Sequence, residues 1–234
     1  MCMDFTALEQ SLNIQFINKT LLTQAFTHRS YLNEAPEDNI ESNERLEFLG
    51  DTVLSVVISH YLYRTYSQLD EGHLTNLRSS IVSKKPLFRI AKDLGFGQYL
   101  LLSHGEEESG GRQNSSILAD TCEAFIGALF LDQGLSGAQS FIERHFIPHL
   151  TATIERGDYR DFKSQLQEKI QAQRKESPVY KTMETQGPDH NKTFVVGVWA
   201  GAKLLATGRG KSKQEAQQDA ARRALSPFPA PNSR

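Results

Sequence analysis

The chain has little cysteine and no long apolar run. Two cysteines in 234 residues, Cys2 and Cys122, cannot build a disulfide framework and suit a reducing compartment. No apolar stretch is long enough to span a bilayer. The opening MCMDFTALEQ lacks the basic flank and apolar run of a secretion signal, so the expected location is the cytoplasm. There is no internal repeat. What is present is an apolar fraction of 38%, enough for a packed core and too much for a disordered chain.

The formal net charge of −2 is an average over unlike halves. Residues 1–157 carry 12 Lys/Arg against 20 Asp/Glu, a net of −8, whereas residues 158–234 carry 14 against 8, a net of +6. This split predicts two modules with different partners, the second of them polyanionic.

Patterning divides the chain at the same place. From Phe5 to about Leu150 apolar residues recur three and four apart, without strand alternation. ERLEFLGDTVLSVVISHYLYRTY reads as one long, largely buried helix. SSILADTCEAFIGALFLDQG reads as another, started by Ser115 or Ser116 and stopped near Gly134. IERGDYRD, with Gly157, is a polar linker. Beyond it DFKSQLQEKIQAQRK is helical, and PVYKTMETQ, KTFVVGVWA and KLLATGRG are strand-like. In the second of these Phe194, Val196 and Val198 alternate with Val195, Gly197 and Trp199. SKQEAQQDAARRAL closes the module as a helix with Ala216, Ala220 and Ala224 on one face. The expected boundaries are a helical domain over 1–155, a linker over 156–160, an α-β-β-β-α module over 161–226 and a proline-containing, disordered tail over 227–234.

NERLEFLGD places Glu44, Glu47 and Asp51 on one narrow face of a helix, at about 100° per residue. Charged stripes usually face solvent, but Leu46, Phe48, Leu49, Val53, Leu54, Val56, Val57 and Ile58 leave little of this helix to do so. The second helix repeats the pattern, with Asp120 and Glu123 among Ile117, Leu118, Phe125 and Ile126. Two apolar helices with acidic stripes can relieve their repulsion by facing each other across a hard divalent ion, Mg²⁺ or Mn²⁺. From spacing alone a solvated face and a shared cation both remain open. Cys122, beside the acidic pair, has no activating partner in the sequence and reads as core; His28 and His73 read as structural or substrate-contacting.

NERLEFLGD resembles the signature of bacterial ribonuclease III, and LDEGHLTNLRSSIVS and LADTCEAFIGALFLDQG resemble its other blocks. The last 70 or so residues resemble a double-stranded-RNA-binding domain, so the likeness runs from about Leu8 to Leu225. It implies an all-α endonuclease domain followed by a small α+β domain. It also implies a metal-dependent endoribonuclease that cuts double-stranded RNA, leaving 5′-phosphate and 3′-hydroxyl ends with two-nucleotide 3′ overhangs. The implied cofactor is Mg²⁺, with Mn²⁺ substituting; the implied substrates are ribosomal RNA precursors and structured messenger RNA.

By the same resemblance Glu47, Asp51, Asp120 and Glu123 surround the metal, and Asp51 and Glu123 are the catalytic pair. Glu44 and Glu71 are secondary acids of the cleft. Phe48 packs into a pocket on the partner of a two-fold homodimer. In the second domain Ser164, Gln167 and Glu168 meet one minor groove, His190 in GPDHNK meets the next, and Lys211 and Lys213 grip phosphates between them. Gln214 and Gln217 stand where basic residues are usual, and Arg209, Arg222 and Arg223 are available to compensate. The alternative is a non-catalytic RNA-binding or ribosome-associated protein that keeps the fold, with no reason to retain four repelling carboxylates.

Overall fold

The two long apolar runs become the two helices around which the first unit is built. In this computed structural model residues 4–35, 40–156, 162–174, 176–188 and 192–225 are described, and the chain divides into two units, 1–159 and 160–234. The first is helical: α1 (Thr6–Leu12), α2 (Lys19–Ala25), α3 (Arg29–Leu32), α4 (Glu44–Thr65), α5 (Glu71–Val82), α6 (Lys84–Asp93), α7 (His104–Glu108) and α8 (Ser115–Arg156), with 3₁₀ turns at Phe96–Tyr99 and Gly111–Gln113. Its extended pairing, among the described residues, is a single bridge between Thr27 and Leu101.

α4 packs along α8, and two glycines set how closely. A Cβ on Gly50 would land on the backbone carbonyl of Glu123, and one on Gly127 on the carbonyl of Leu46. Only glycine permits this backbone-to-backbone crossing, which brings the acidic turns of both helices together. Around it Phe16, Phe26, Phe96, Phe125 and Phe141 form a contiguous aromatic core, with ring centroids as near as 5.0 Å for Phe125 and Phe141.

Local signals fix the helix ends. Asn114, rather than Ser115 or Ser116, starts α8: its side-chain oxygen accepts from the N–H groups of Ser116 (2.9 Å) and Ile117 (3.4 Å). At Gly134 the backbone leaves helical geometry with φ +71°, as expected, but a second helical stretch follows at once and continues to Arg156.

α4 is not buried all round. Phe48 is 80% exposed, Tyr63 73% and Val56 53%. Leu46, Val53, Leu54, Val57, Ile58 and Leu62 supply the buried face. Hydropathy counts apolar residues without saying which neighbours exist to cover them, and no described element covers this second stripe.

The second unit comprises α9 (Phe162–Arg174), β1 (Val179–Gln186), β2 (Thr193–Ala200), β3 (Lys203–Gly210) and α10 (Lys213–Leu225). The strands form an antiparallel sheet in the order β1-β2-β3. Val198 and Ala200 of β2 meet Leu166 and Ile170 of α9 and Ala220 and Ala221 of α10 in a separate core. Ala216 and Ala220 are fully buried, as their shared face predicts, while Ala224 is partly buried. The expected tail, 227–234, and residues 157–160 of the expected linker lie outside the described residues.

Candidate metal centre and nucleic-acid interface

The glycine crossing sets Glu47 of α4 opposite Asp120 and Glu123 of α8. One carboxylate oxygen from each of the three lies within 4.8 Å of the others, and all three side chains are half-buried. Asp51, one turn further along α4, is exposed and lies outside this tight group, yet its charge acts on both Glu47 and Glu123. Burial pushes the Glu123 carboxyl up to about 8, and the charges of Asp51, Glu47 and Asp120 add to it. Burial also raises Glu47, helped by Asp120. Lys84, at the start of α6, opposes both shifts and stands 3.4 Å from Asp120.

These residues fit a hard divalent cation. All donors are carboxylate oxygens, they converge from two helices, and their mutual repulsion holds protons that a cation would displace. Spacing on a single helix could not reveal Lys84, since it lies far from both acidic stripes in sequence. The Gly50–Gly127 contact was equally hidden, because a glycine in a helical pattern reads as a weak breaker.

The secondary acids are elsewhere. Glu44 is exposed; it accepts from the Ser42 hydroxyl (3.1 Å) and stands 3.7 Å from the Arg29 guanidinium. Glu71 lines a depression of about 700 Å³ between α4 and α5, with Tyr63, Leu69 and Leu74. Cys122 is fully buried, and burial pushes its thiol up, so it is core as expected. His28 caps α3, its Nδ1 accepting from the Ser30 N–H at 3.3 Å, and His73 Nδ1 lies 2.7 Å from Asp70.

In the second unit Ser164, Gln167 and Glu168 are exposed along one face of α9. Lys213 opens α10 and Lys211 precedes it; Ser212 caps this end, accepting from the Glu215 N–H (3.1 Å), while Glu215 accepts from the Lys211 N–H (2.7 Å). His190 lies outside the described residues. Arg222 and Arg223 are both held by Asp219, at 2.6 and 3.0 Å. Burial alone would raise Asp219, but the Arg209 N–H and the two guanidiniums outweigh it and hold the carboxyl below its usual range. Gln217 accepts from the Lys163 ammonium at 2.8 Å, and that ammonium also lies 5.2 Å from the centre of the Tyr180 ring. A cation from α9 thus stands beside Gln217, a position where a basic residue was expected.

A helical unit with a convergent carboxylate cluster, joined to a basic α-β-β-β-α unit, defines a hydrolase class whose substrate is a nucleic-acid backbone. A family model described as Ribonuclease-III-like matches residues 18–150, and one described as Double-stranded RNA binding motif matches 162–226. The chain is 46% identical to Ribonuclease 3 of Oceanobacillus iheyensis over 95% of its length and 97% of the relative's. It is 48% identical to Ribonuclease 3 of Syntrophomonas wolfei over 91% and 90% respectively. The nuclease domain of ribonuclease III from Campylobacter jejuni superposes with a TM-score of 0.56 at 40% identity, covering 62% of this chain and 99% of that one. The chain belongs to the ribonuclease III family and is an endoribonuclease acting on double-stranded RNA. The family is metal-dependent, and Glu47, Asp120 and Glu123 form a group able to hold a metal ion. Among the described residues no helix is long and apolar enough to cross a membrane.

Proposed function

We propose that Glu47, Asp51, Asp120 and Glu123 hold Mg²⁺, for which Mn²⁺ substitutes, and that Asp51 and Glu123 are the catalytic pair. The observation that carries this is the convergence of Glu47, Asp120 and Glu123 within 4.8 Å, with Glu123 pushed up to about 8. When bound, the cation offsets the charge of the phosphoryl oxygens and lowers the pKa of its water. The protein contributes a fixed arrangement of carboxylates, set by helices that cannot separate without breaking the glycine contact. Lys84 keeps an ammonium at the edge of the cluster, where an anionic phosphodiester would otherwise meet only carboxylates. Water attacks and the ribose 3′-oxygen leaves, giving 5′-phosphate and 3′-hydroxyl ends with short 3′ overhangs.

Duplex capture belongs chiefly to the second unit, with Ser164, Gln167, Glu168, His190, Lys211 and Lys213 as its contacts. We assign the nuclease domain to 1–155, the linker to 156–160 and the RNA-binding domain to 161–226, with 227–234 outside both domains. A two-fold homodimer is the working state. The exposed stripe of Phe48, Val56 and Tyr63 supports it, and the Campylobacter jejuni structure is described by its region involved in dimer formation. In that dimer Phe48 would pack into a pocket on the partner. Glu44 acts as a secondary acid nearer the rim of the cleft and Glu71 as one within it. Cytoplasmic processing of ribosomal RNA precursors and structured messenger RNA fits this build.

The decisive experiment pairs the full chain with its Glu123→Gln variant on a long RNA duplex, with and without Mg²⁺. Duplex binding should be retained while Mg²⁺-dependent cleavage falls about 100-fold or more. Near-normal cleavage by the variant would sink the assignment.

A further inference from the structure

The nuclease unit carries a basic face that the carboxylate site does not use. Of the 12 Lys/Arg in residues 1–157, four stand in the ten residues of α6: Lys84, Lys85, Arg89 and Lys92. At about 100° per residue, Lys85, Phe88, Arg89 and Lys92 share one face of the helix, opposite the buried Leu87, Ile90 and Ala91. They line a depression of about 400 Å³, with Asp93 as the one acid on its rim. Phe88 packs on the core, and the Lys92 ammonium lies 5.9 Å from the centre of its ring.

A charge run on a helix is most often a solvated face, so its surroundings decide. Lys19, Arg29, Arg45, Lys84 and Arg112 are each paired with an acid, while Arg78 and Arg144 donate to the Ser59 hydroxyl and the Leu12 carbonyl. Among the described side chains of this unit, Lys85, Arg89 and Lys92, together with Arg64 on α4, have no acid or hydrogen-bond acceptor as a partner. An acidic unit that pairs most of its cations has left three of them together. The face also begins beside the site, since Lys84, the residue before Lys85, is the one that reaches Asp120. From Lys84 to Lys92 the helix advances about 12 Å, so the three unpaired cations all lie within that rise of the residue that reaches Asp120.

We propose that Lys85, Arg89 and Lys92 form a phosphate-binding surface for the duplex-RNA substrate, extending its contact with the nuclease unit beyond the carboxylate cluster. Each cation that neutralises a phosphate releases counterions, so its contribution appears in the salt dependence of binding.

The test uses the full chain carrying Glu123→Gln, so that binding is measured without cleavage. Lys85→Gln, Arg89→Gln and Lys92→Gln are added together, and duplex affinity is followed across salt concentrations. The slope of log K against log salt should flatten by about 2–3 for three lost phosphate contacts. The charge-keeping set Lys85→Arg, Arg89→Lys and Lys92→Arg should retain the original slope. With Glu123 restored, the neutral triple variant should raise KM at near-physiological salt and leave kcat within about twofold, a split expected when uniform binding is lost. Unchanged helicity by circular dichroism separates these effects from misfolding; if helicity falls, the single Arg89→Gln variant replaces the triple and should flatten the slope by about 1. A slope equal to that of the unmodified face overturns the proposal, whether the face is merely solvated or meets an acidic protein. Near-normal cleavage by Glu123→Gln, with the slope still flattened by the neutral triple, would count against the carboxylate assignment instead and leave this proposal standing.

Discussion

Metal binding at the cluster should depend on pH in a way its geometry fixes. With the Glu123 carboxyl pushed up to about 8 by burial and by Asp51, Glu47 and Asp120, about nine in ten metal-free molecules carry that proton at pH 7. A cation must displace it. Apparent affinity should therefore rise about 50-fold between pH 6 and pH 8 and level off above that, with about 0.9 proton released per ion at pH 7. Glu47, also raised, can only add to this. Mn²⁺ titration of the full chain at pH 6, 7 and 8, followed by loss of the free-ion paramagnetic signal, measures the trend. Mg²⁺ calorimetry in two buffers of different ionisation heat counts the protons. Affinity that is flat from pH 6 to pH 8, or binding without proton release, would refute the reasoning.

The same carboxyl fixes a sign for stability. Glu123 holds its proton more tightly folded, at about 8, than at its ordinary value of 4.5. The metal-free fold is thus favoured fully below 4.5, and this contribution is lost as pH rises through 8. Because part of Glu123 meets solvent, which screens the effect, about 1–2 kcal/mol is the expected size. Glu123→Gln removes the ionisable proton, so without metal it should melt about 2–8 °C above the parent at pH 8, and the gap should close toward pH 5.

The remaining expectations concern packing, assembly and the division of labour. Gly50→Ala puts a methyl group against the Glu123 carbonyl; it should cost about 1–3 kcal/mol by denaturant titration and weaken Mn²⁺ binding by separating the helices. Phe48→Asp alters a ring that is 80% exposed, so light scattering should report monomer while circular dichroism reports an unchanged fold. Residues 1–157 alone should cut duplex RNA at low salt with an inhibition midpoint below that of the full chain; equal midpoints would deny the second unit its share of phosphate attraction.

Much of the architecture was legible because periodicity carries it. The buried faces of α4 and α8 and the alternation in β2 are direct consequences of helix and strand geometry. The acidic stripes were legible for the same reason, but not which acids would meet. Glu44, Glu47 and Asp51 share a face of α4, yet Glu47 is the one that joins Asp120 and Glu123 in the tight group, because the helices cross at Gly50 and Gly127. That crossing is a contact between residues 77 positions apart and has no local signature. Phe48, Val56 and Tyr63 show the opposite failure. Apolar character says that a residue favours leaving water, not whether its own chain or a second copy provides the cover.

Net charge explains less about RNA capture than the pairing of individual cations. The second module sums to +6 over residues 158–234, but Asp219 engages Arg222 and Arg223, so neither guanidinium can turn to phosphate without giving up an ion pair. The grip proposed for Lys211 and Lys213 has a different setting, at the start of α10, where the helix dipole favours an anion. Lys163 stands with them, fixed by Gln217 and the face of Tyr180. The nuclease unit inverts this logic: it is acidic in sum, yet α6 presents Lys85, Arg89 and Lys92 without acidic partners among the described residues. A polyanion senses the local field more than the total, screened over about 8–10 Å at ordinary salt. An acidic domain can thus repel RNA at long range and still bind it along one face, and that face lies beside the carboxylates that need the phosphodiester close.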